Sequence, residues 1–182
     1  MKPVVVDTNV LLIANGLHAD VSEDCVIACV QGLQALQQSG VTVIDDGFRI
    51  LGEYQQKTQI NPPRGVGDVF LKWLLRQAGN ALKVQQVPLT ETAPYCFSEF
   101  PNPALELAFD PPDRKFAAVA YAHPAKPVIW QAADCKWLDW WPALQAHGID
   151  VAFLCPEDAC QFYRNKFPQK PEPALPDQPQ HV

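Results

Sequence analysis

A chain of 182 residues, 48% of them hydrophobic, is long enough for one domain with a sizeable core; at this size roughly 70% of the unfolded surface can be buried. A net charge of −6 and a pI near 5.1 exclude a protein that grips nucleic acid through a uniformly basic surface, but they leave room for a carboxylate site whose metal ions supply the positive charge. No segment approaches the ~20 apolar residues of a membrane span, and the N-terminal apolar run is cut by Asp7, which argues against a signal peptide.

In chain order, Lys2-Pro3 precedes Val4-Val5-Val6, a run of β-branched residues that reads as a strand buried on both faces. Asp7 follows, then Thr8-Asn9 and a short helix or turn ending near Asn15-Gly16. Ser22 is a natural N-cap, with Glu23 and Asp24 in the first turn and a helical period of Val26, Val30, Leu33 and Leu36 as far as Ser39-Gly40. Val41 to Ile44 forms a second strand, capped by Asp45-Asp46-Gly47, and the next helix carries Ile50, Leu51, Tyr54 and Glu53. A loop over 61–67 gives way to a helix opened by Asp68, and residues 84–89 form a short edge strand, because Pro88 excludes a central one.

From Thr90 to Pro103 there is little periodicity, which predicts a long loop packed on the surface through Tyr95, Phe97 and Phe100. Asp110 then reads as an N-cap with Pro111 at the first helical position, which puts Asp113 third in that helix. Pro127 to Trp130 forms a strand that runs into Gln131-Ala132-Ala133-Asp134. A helix with Trp137, Trp140 and Trp141 is predicted to stop at Pro142, its tryptophans serving as core or as a dimer contact. Ile149 to Leu154 makes the last strand, and Pro156 starts the final helix, which runs to about Phe167. Residues 168–182 hold five prolines and almost no large apolar side chains, so a disordered or loosely laid tail follows a domain spanning 1–167.

Strands alternating with helices predict a three-layer α/β/α sandwich around a mainly parallel sheet of four to five strands. Six cysteines without a secretion signal or CxxC spacing read as reduced, buried thiols, and the expected location is the cytoplasm. In open α/β sheets ligands gather at the carboxyl ends of strands, where Asp7 and Asp134 both fall. Glu53 and Asp113 sit on helices able to lean over the same edge. Four crowded carboxylates raise one another's pKa unless a divalent cation is present, and hard ions such as Mg²⁺ or Mn²⁺ favour such oxygen ligands.

At this point the chain resembles the PIN-domain ribonucleases. Val4-Val5-Val6-Asp7-Thr8-Asn9-Val10-Leu11-Leu12 is similar to that family's first motif, and Glu53 to its second acid. Asp113 in Asp-Arg-Lys-Phe-Ala-Ala-Val-Ala is similar to the third and Asp134 to the fourth. The likeness spans about residues 3–167. It implies a PIN-like domain that cleaves single-stranded RNA with Mg²⁺ or Mn²⁺, with Asp7, Asp113 and Asp134 near the ion. It further implies Glu53 as a ligand or water-orienting group, and Asn9 bonded to an acid or to the scissile phosphate. A toxin with an antitoxin-like partner and a homodimer are narrower expectations. The pattern departs at Ala132, where family members carry Ser or Thr and the nearest polar side chain is Gln131. The chain is also longer than the small toxin members of that family, with its excess in residues 55–103 and in the tail.

Two other functions fit part of the same pattern. A haloacid-dehalogenase-type phosphatase also begins strand-Asp, but it needs a second Asp two residues on, where this chain has Asn9. A catalytically silent PIN-fold module that binds RNA or protein is the remaining alternative. Outside the acids, Arg114 and Lys115, and a strip of Arg64, Lys72, Arg76 and Lys83, are candidate contacts for an RNA backbone.

Overall fold

The structure, a computed structural model, describes residues 2–177. Its centre is a parallel sheet built from β1 (Val4–Val6), β2 (Thr42–Asp45), β3 (Val84–Val87), β6 (Val128–Gln131) and β7 (Val151–Phe153). The strand order is β3-β2-β1-β6-β7, so β1 is central and β3 lies at an edge. Pro88 follows directly after β3, at a position where a missing ladder N–H does no harm. Helices flank the sheet on both sides, which makes the three-layer α/β/α sandwich the alternation of elements implies.

One layer gathers α1 (Thr8–Ala14), α2 (Glu23–Ser39) and α4 (Val66–Gln77), which pack on one another. The α1–α4 crossing is close enough that a Cβ at Gly67 would stand 2.2 Å from the Leu11 carbonyl oxygen, so only glycine fits. On α2, Gly32 likewise leaves room for the ring of Trp130. The helix α6 (Arg114–Ala122) lies on β1, β2 and β6, its Phe116 to Ala120 run fully buried. The chain is completed by α3 (Arg49–Lys57), α5 (Pro103–Ala108), α7 (Trp137–Ala146) and α8 (Pro156–Lys166).

Several local expectations are met by specific contacts. The Ser22 hydroxyl accepts from Cys25 N–H and caps α2, and Asn15-Gly16 ends α1, with Gly16 at φ +69°. Asp45 caps α3 from inside the protein: its two carboxylate oxygens accept from Arg49 N–H and Ile50 N–H.

Other expectations are overturned. The stretch after Thr90 is not an irregular loop but a small antiparallel hairpin, β4 (Glu91–Ala93) and β5 (Cys96–Phe97), followed by α5. Every β4 side chain is exposed, so there is no apolar alternation to betray it. Pro142 does not stop its helix; α7 runs on to Ala146, held by buried Trp137, Leu138, Trp140 and Leu144, although the proline forfeits one helical hydrogen bond. Asp110 makes no cap hydrogen bond, and Pro111–Asp113 form a 3₁₀ turn, so Asp113 stands just before α6 rather than inside it.

The cysteines divide. Cys25 and Cys155 form a disulfide, against the reading of six reduced thiols, while Cys29, Cys96, Cys135 and Cys160 are free. The tryptophans are largely core: Trp137 is fully buried and Trp140 stacks on Phe109 with ring centroids 4.3 Å apart. Residues 168–177 carry neither helix nor strand and lie on α7 and α8, through Trp141 Nε1 donating to Ala174 O (3.0 Å) and Arg164 pairing with Glu172 (2.6 Å). The rest of the expected tail, 178–182, lies outside the described residues.

Candidate functional site

The site follows from the order of the strands. Because β1 and β6 are parallel neighbours, with Val6 opposite Trp130, their carboxyl ends release Asp7 and the Gln131–Asp134 turn on the same edge. The main chain locks this register, since Asp7 N–H donates to Trp130 O at 2.9 Å. Asp7 is 4% exposed and caps α1 through Oδ1, which accepts from Asn9 N–H at 2.9 Å. Its other oxygen, Oδ2, is buried with no hydrogen-bond partner.

An orphaned carboxylate oxygen in a buried place is costly. Burial, and then the charges of Asp113, Asp134 and Glu53, push the Asp7 carboxyl well above the usual carboxylate range. Burial, followed by the charge of Asp134, pushes Asp113 up to about 6, although Lys136 and Lys115 pull the other way. The four acids singled out in the sequence therefore share one electrostatic neighbourhood. They do not close on each other: among the described residues, the three side chains whose ligand atoms come within 4.8 Å of one another are Cys25, Cys29 and Cys155, two of which are already bonded together.

Two lysines stand among the acids. Lys115, expected at the surface as an RNA contact, is buried; its Nζ donates to Glu53 Oε2 and to Pro112 O. Glu53 receives a second hydrogen bond from Thr8 Oγ1 at 2.6 Å. Lys136 Nζ pairs with Asp110 and lies 3.8 Å from carboxylate oxygens of both Asp113 and Asp134. Asp134 also accepts from Lys136 N–H at 3.1 Å, so it closes the turn that leads into the tryptophan helix as well as facing the site. Arg114, the other expected RNA contact, is turned inward onto Phe109 O and Cys96 Sγ.

Asn9 bonds Asp7 through its N–H, and its side chain joins two elements. Its amide donates to Gln131 Oε1 and accepts from Ala132 N–H at 3.0 Å, which ties the end of β6 to the start of α1. Gln131 is fully buried, and its Nε2 is the second unpartnered polar atom on this edge. The Arg64, Lys72, Arg76 and Lys83 strip belongs to the α4 neighbourhood, where Lys83 Nζ donates to Gln38 O at 2.9 Å. Lys136 and Thr8 were missed as site residues, and Gln131 was marked only as the polar side chain nearest to Ala132. Each lies within three positions of an acid in the chain, the one signal available.

Carboxylate oxygens are the donors a hard divalent cation takes, and the unpartnered Oδ2 of Asp7 and the mutual repulsion of the acids are what bound positive charge relieves. The four carboxylates do not, however, converge as a ligand set among the described residues, and Lys115 and Lys136 already supply part of that charge. No family model matches this chain, and neither does any curated protein or solved structure.

Proposed function

We propose that the protein is a PIN-like, metal-dependent ribonuclease that cleaves phosphodiester bonds in single-stranded RNA, a hydrolase acting through Asp7, Glu53, Asp113 and Asp134. The observation that carries this reading is the unpartnered Oδ2 of buried Asp7, at the carboxyl end of the central strand and within the field of three further acids. Asp7, Asp113 and Asp134 would hold Mg²⁺ or Mn²⁺, with Glu53 beside them. A divalent ion bound there supplies positive charge that activates water and steadies an oxygen leaving phosphorus.

The chain's own groups do the rest. Glu53, fixed by Thr8 and Lys115, presents a carboxylate of constant orientation to a water entering the site. Asn9 and Gln131 act on the reaction only by fixing the β6 turn that carries Asp134. Lys136 is a cation in reach of two acids and so stands where a phosphate would otherwise meet unbroken negative charge.

The test is cleavage of labelled single-stranded RNA with added Mg²⁺ or Mn²⁺ by wild type and Asp7→Asn. Metal-dependent products from wild type, and at least a hundredfold fewer from the variant, are expected; equal cleavage by the two, or none by either, overturns the reading. A second reading is favoured by Lys136: an ammonium already bridging Asp110, Asp113 and Asp134 is a substitute for a metal, as in a silent module that binds RNA or protein. Calorimetry with Mn²⁺ separates the two, because the silent form takes up no ion at millimolar concentration. Toxin-antitoxin pairing and a homodimer are narrower forms of either reading.

A further inference from the structure

A cleft of about 670 Å³ adjoins the acids on the α3 side, within the range that accepts a ligand of nucleotide size. Glu53 and Lys115 form the end nearest the acids; Lys57, Arg49, Gly52 and Tyr95 line the remainder. We propose that this cleft is the binding track for one nucleotide of a single-stranded RNA. In it the unpaired base stacks on Tyr95, and Lys57 takes the phosphate. The inference rests on the nuclease reading only for the identity of the strand.

Tyr95 is the first support. It is 53% exposed and sits at φ +60°, a conformation that costs a bulky residue energy unless its surroundings impose it. Here they do. Tyr95 N–H donates to Glu91 Oε1 at 2.8 Å, and the other oxygen of Glu91 accepts from Arg49 Nη2 at 3.3 Å, which bolts the hairpin to α3. On the next residues, Arg114 Nη1 donates to Cys96 Sγ, and Phe97 N–H donates to Glu106 Oε1 at 2.7 Å. A backbone held this way fixes the point from which the exposed Tyr95 ring projects at the rim of the cleft, so less freedom is lost when a base stacks on it.

Gly52 is the second, independent support. It sits inside α3, where glycine weakens a helix relative to alanine. No close approach demands it, since an added Cβ would meet nothing within 4 Å. Its effect is to keep the cleft floor open. Charge is the third. Lys57 is exposed and makes no ion pair among the described residues, and the lining sets three cations against the carboxylates of Glu53 and Glu91. On a chain of net charge −6 this is a local place where a polyanion is not repelled. An aromatic face with a flanking cation selects unpaired bases, whose faces are free, over a duplex.

The test is fluorescence anisotropy of a labelled oligouridylate in EDTA, where no cleavage intervenes. Tyr95→Ala is expected to weaken binding roughly tenfold and Tyr95→Phe to restore it. Gly52→Leu should fill the cleft and weaken binding as much without lowering the unfolding temperature. Lys57→Gln should flatten the salt dependence by about one phosphate contact, and duplex RNA should bind no differently to Tyr95→Ala and wild type. Wild-type affinity in both Tyr95→Ala and Gly52→Leu overturns the track, as does failure of wild type to bind the strand. The nuclease reading is judged separately by Asp7→Asn in Mn²⁺: a protein that binds through Tyr95 yet cleaves nothing keeps this inference and loses that one.

Discussion

Glu53 and Lys115, 62 positions apart in the chain, form an ion pair in which the lysine side chain is 8% exposed and the glutamate 22%. The pair joins α3 to α6 across the edge of the sheet where Asp7 emerges. Removing one partner from a buried pair leaves the other charge uncompensated, which costs far more than the pair is worth against an apolar replacement. Glu53→Ala should lower stability to urea by about 2–4 kcal/mol, and Glu53→Ala/Lys115→Met should recover part of the loss. A double variant that falls by the sum of the two singles would show that the pair is not coupled.

Asp7 is a liability to the fold when no cation balances it. Asp7→Asn keeps the oxygen that caps α1 and removes the charge. In chelator its unfolding midpoint should rise, by about 2–4 °C for each kcal/mol of repulsion relieved, while any metal-induced stabilisation seen in wild type disappears. Differential scanning calorimetry with EDTA and then Mn²⁺ reads both effects, and a midpoint that drops in chelator would contradict the electrostatic account.

The carboxyl of Asp113, pushed up to about 6, carries a pH signature. Its folded value lies above the unfolded one near 3.9, so the folded state holds the proton more tightly. Stability is therefore higher at low pH and falls as pH rises between about 4 and 6, a loss of about 2–3 kcal/mol by neutrality. Urea unfolding in EDTA across that window should fall more steeply for wild type than for Asp113→Asn; parallel curves would remove the assignment.

Burial pushes the Cys29 thiol up to about 12, so at mildly alkaline pH almost none is thiolate. Native protein treated with iodoacetamide should be labelled at half-exposed Cys96 and spared at Cys29, with Cys25 and Cys155 recovered as one cross-linked peptide. Rapid labelling of Cys29 without denaturant would mean that the packing of α2 around the Cys25–Cys155 bridge opens.

The fold was readable because its signals are local. Three valines, a carboxylate and an Asx-rich turn specify β1 and the start of α1 whatever surrounds them. The edge position of β3 followed from Pro88 alone. The hairpin at 91–97 escaped because its strands bury almost nothing on their own and are held by Arg49, Arg114 and Glu106 from three other elements. Pro142 misled because a local helix breaker was outweighed by buried aromatic packing that is not local.

For the site, residue types and their order along the chain marked Asp7, Glu53, Asp113 and Asp134, since strand ends and helix starts are set by short-range propensity. Which cations sit among those acids was decided only in three dimensions. Lys115 reads from sequence as a candidate contact for an RNA backbone, and Lys136 carries no signal of its own. Lys115 is drawn in by Glu53 on α3, and Lys136 by Asp110, Asp113 and the Asp134 that the β1–β6 pairing brings to the same edge. The same holds for Cys25 and Cys155, 130 positions apart, and for Tyr95, whose ring has meaning only beside α3. Sequence determines the pattern of strands and the acids that end them, because those follow from neighbours in the chain. Tertiary structure decides which charges are balanced and which are left bare, because an electrostatic partner is chosen by distance in space.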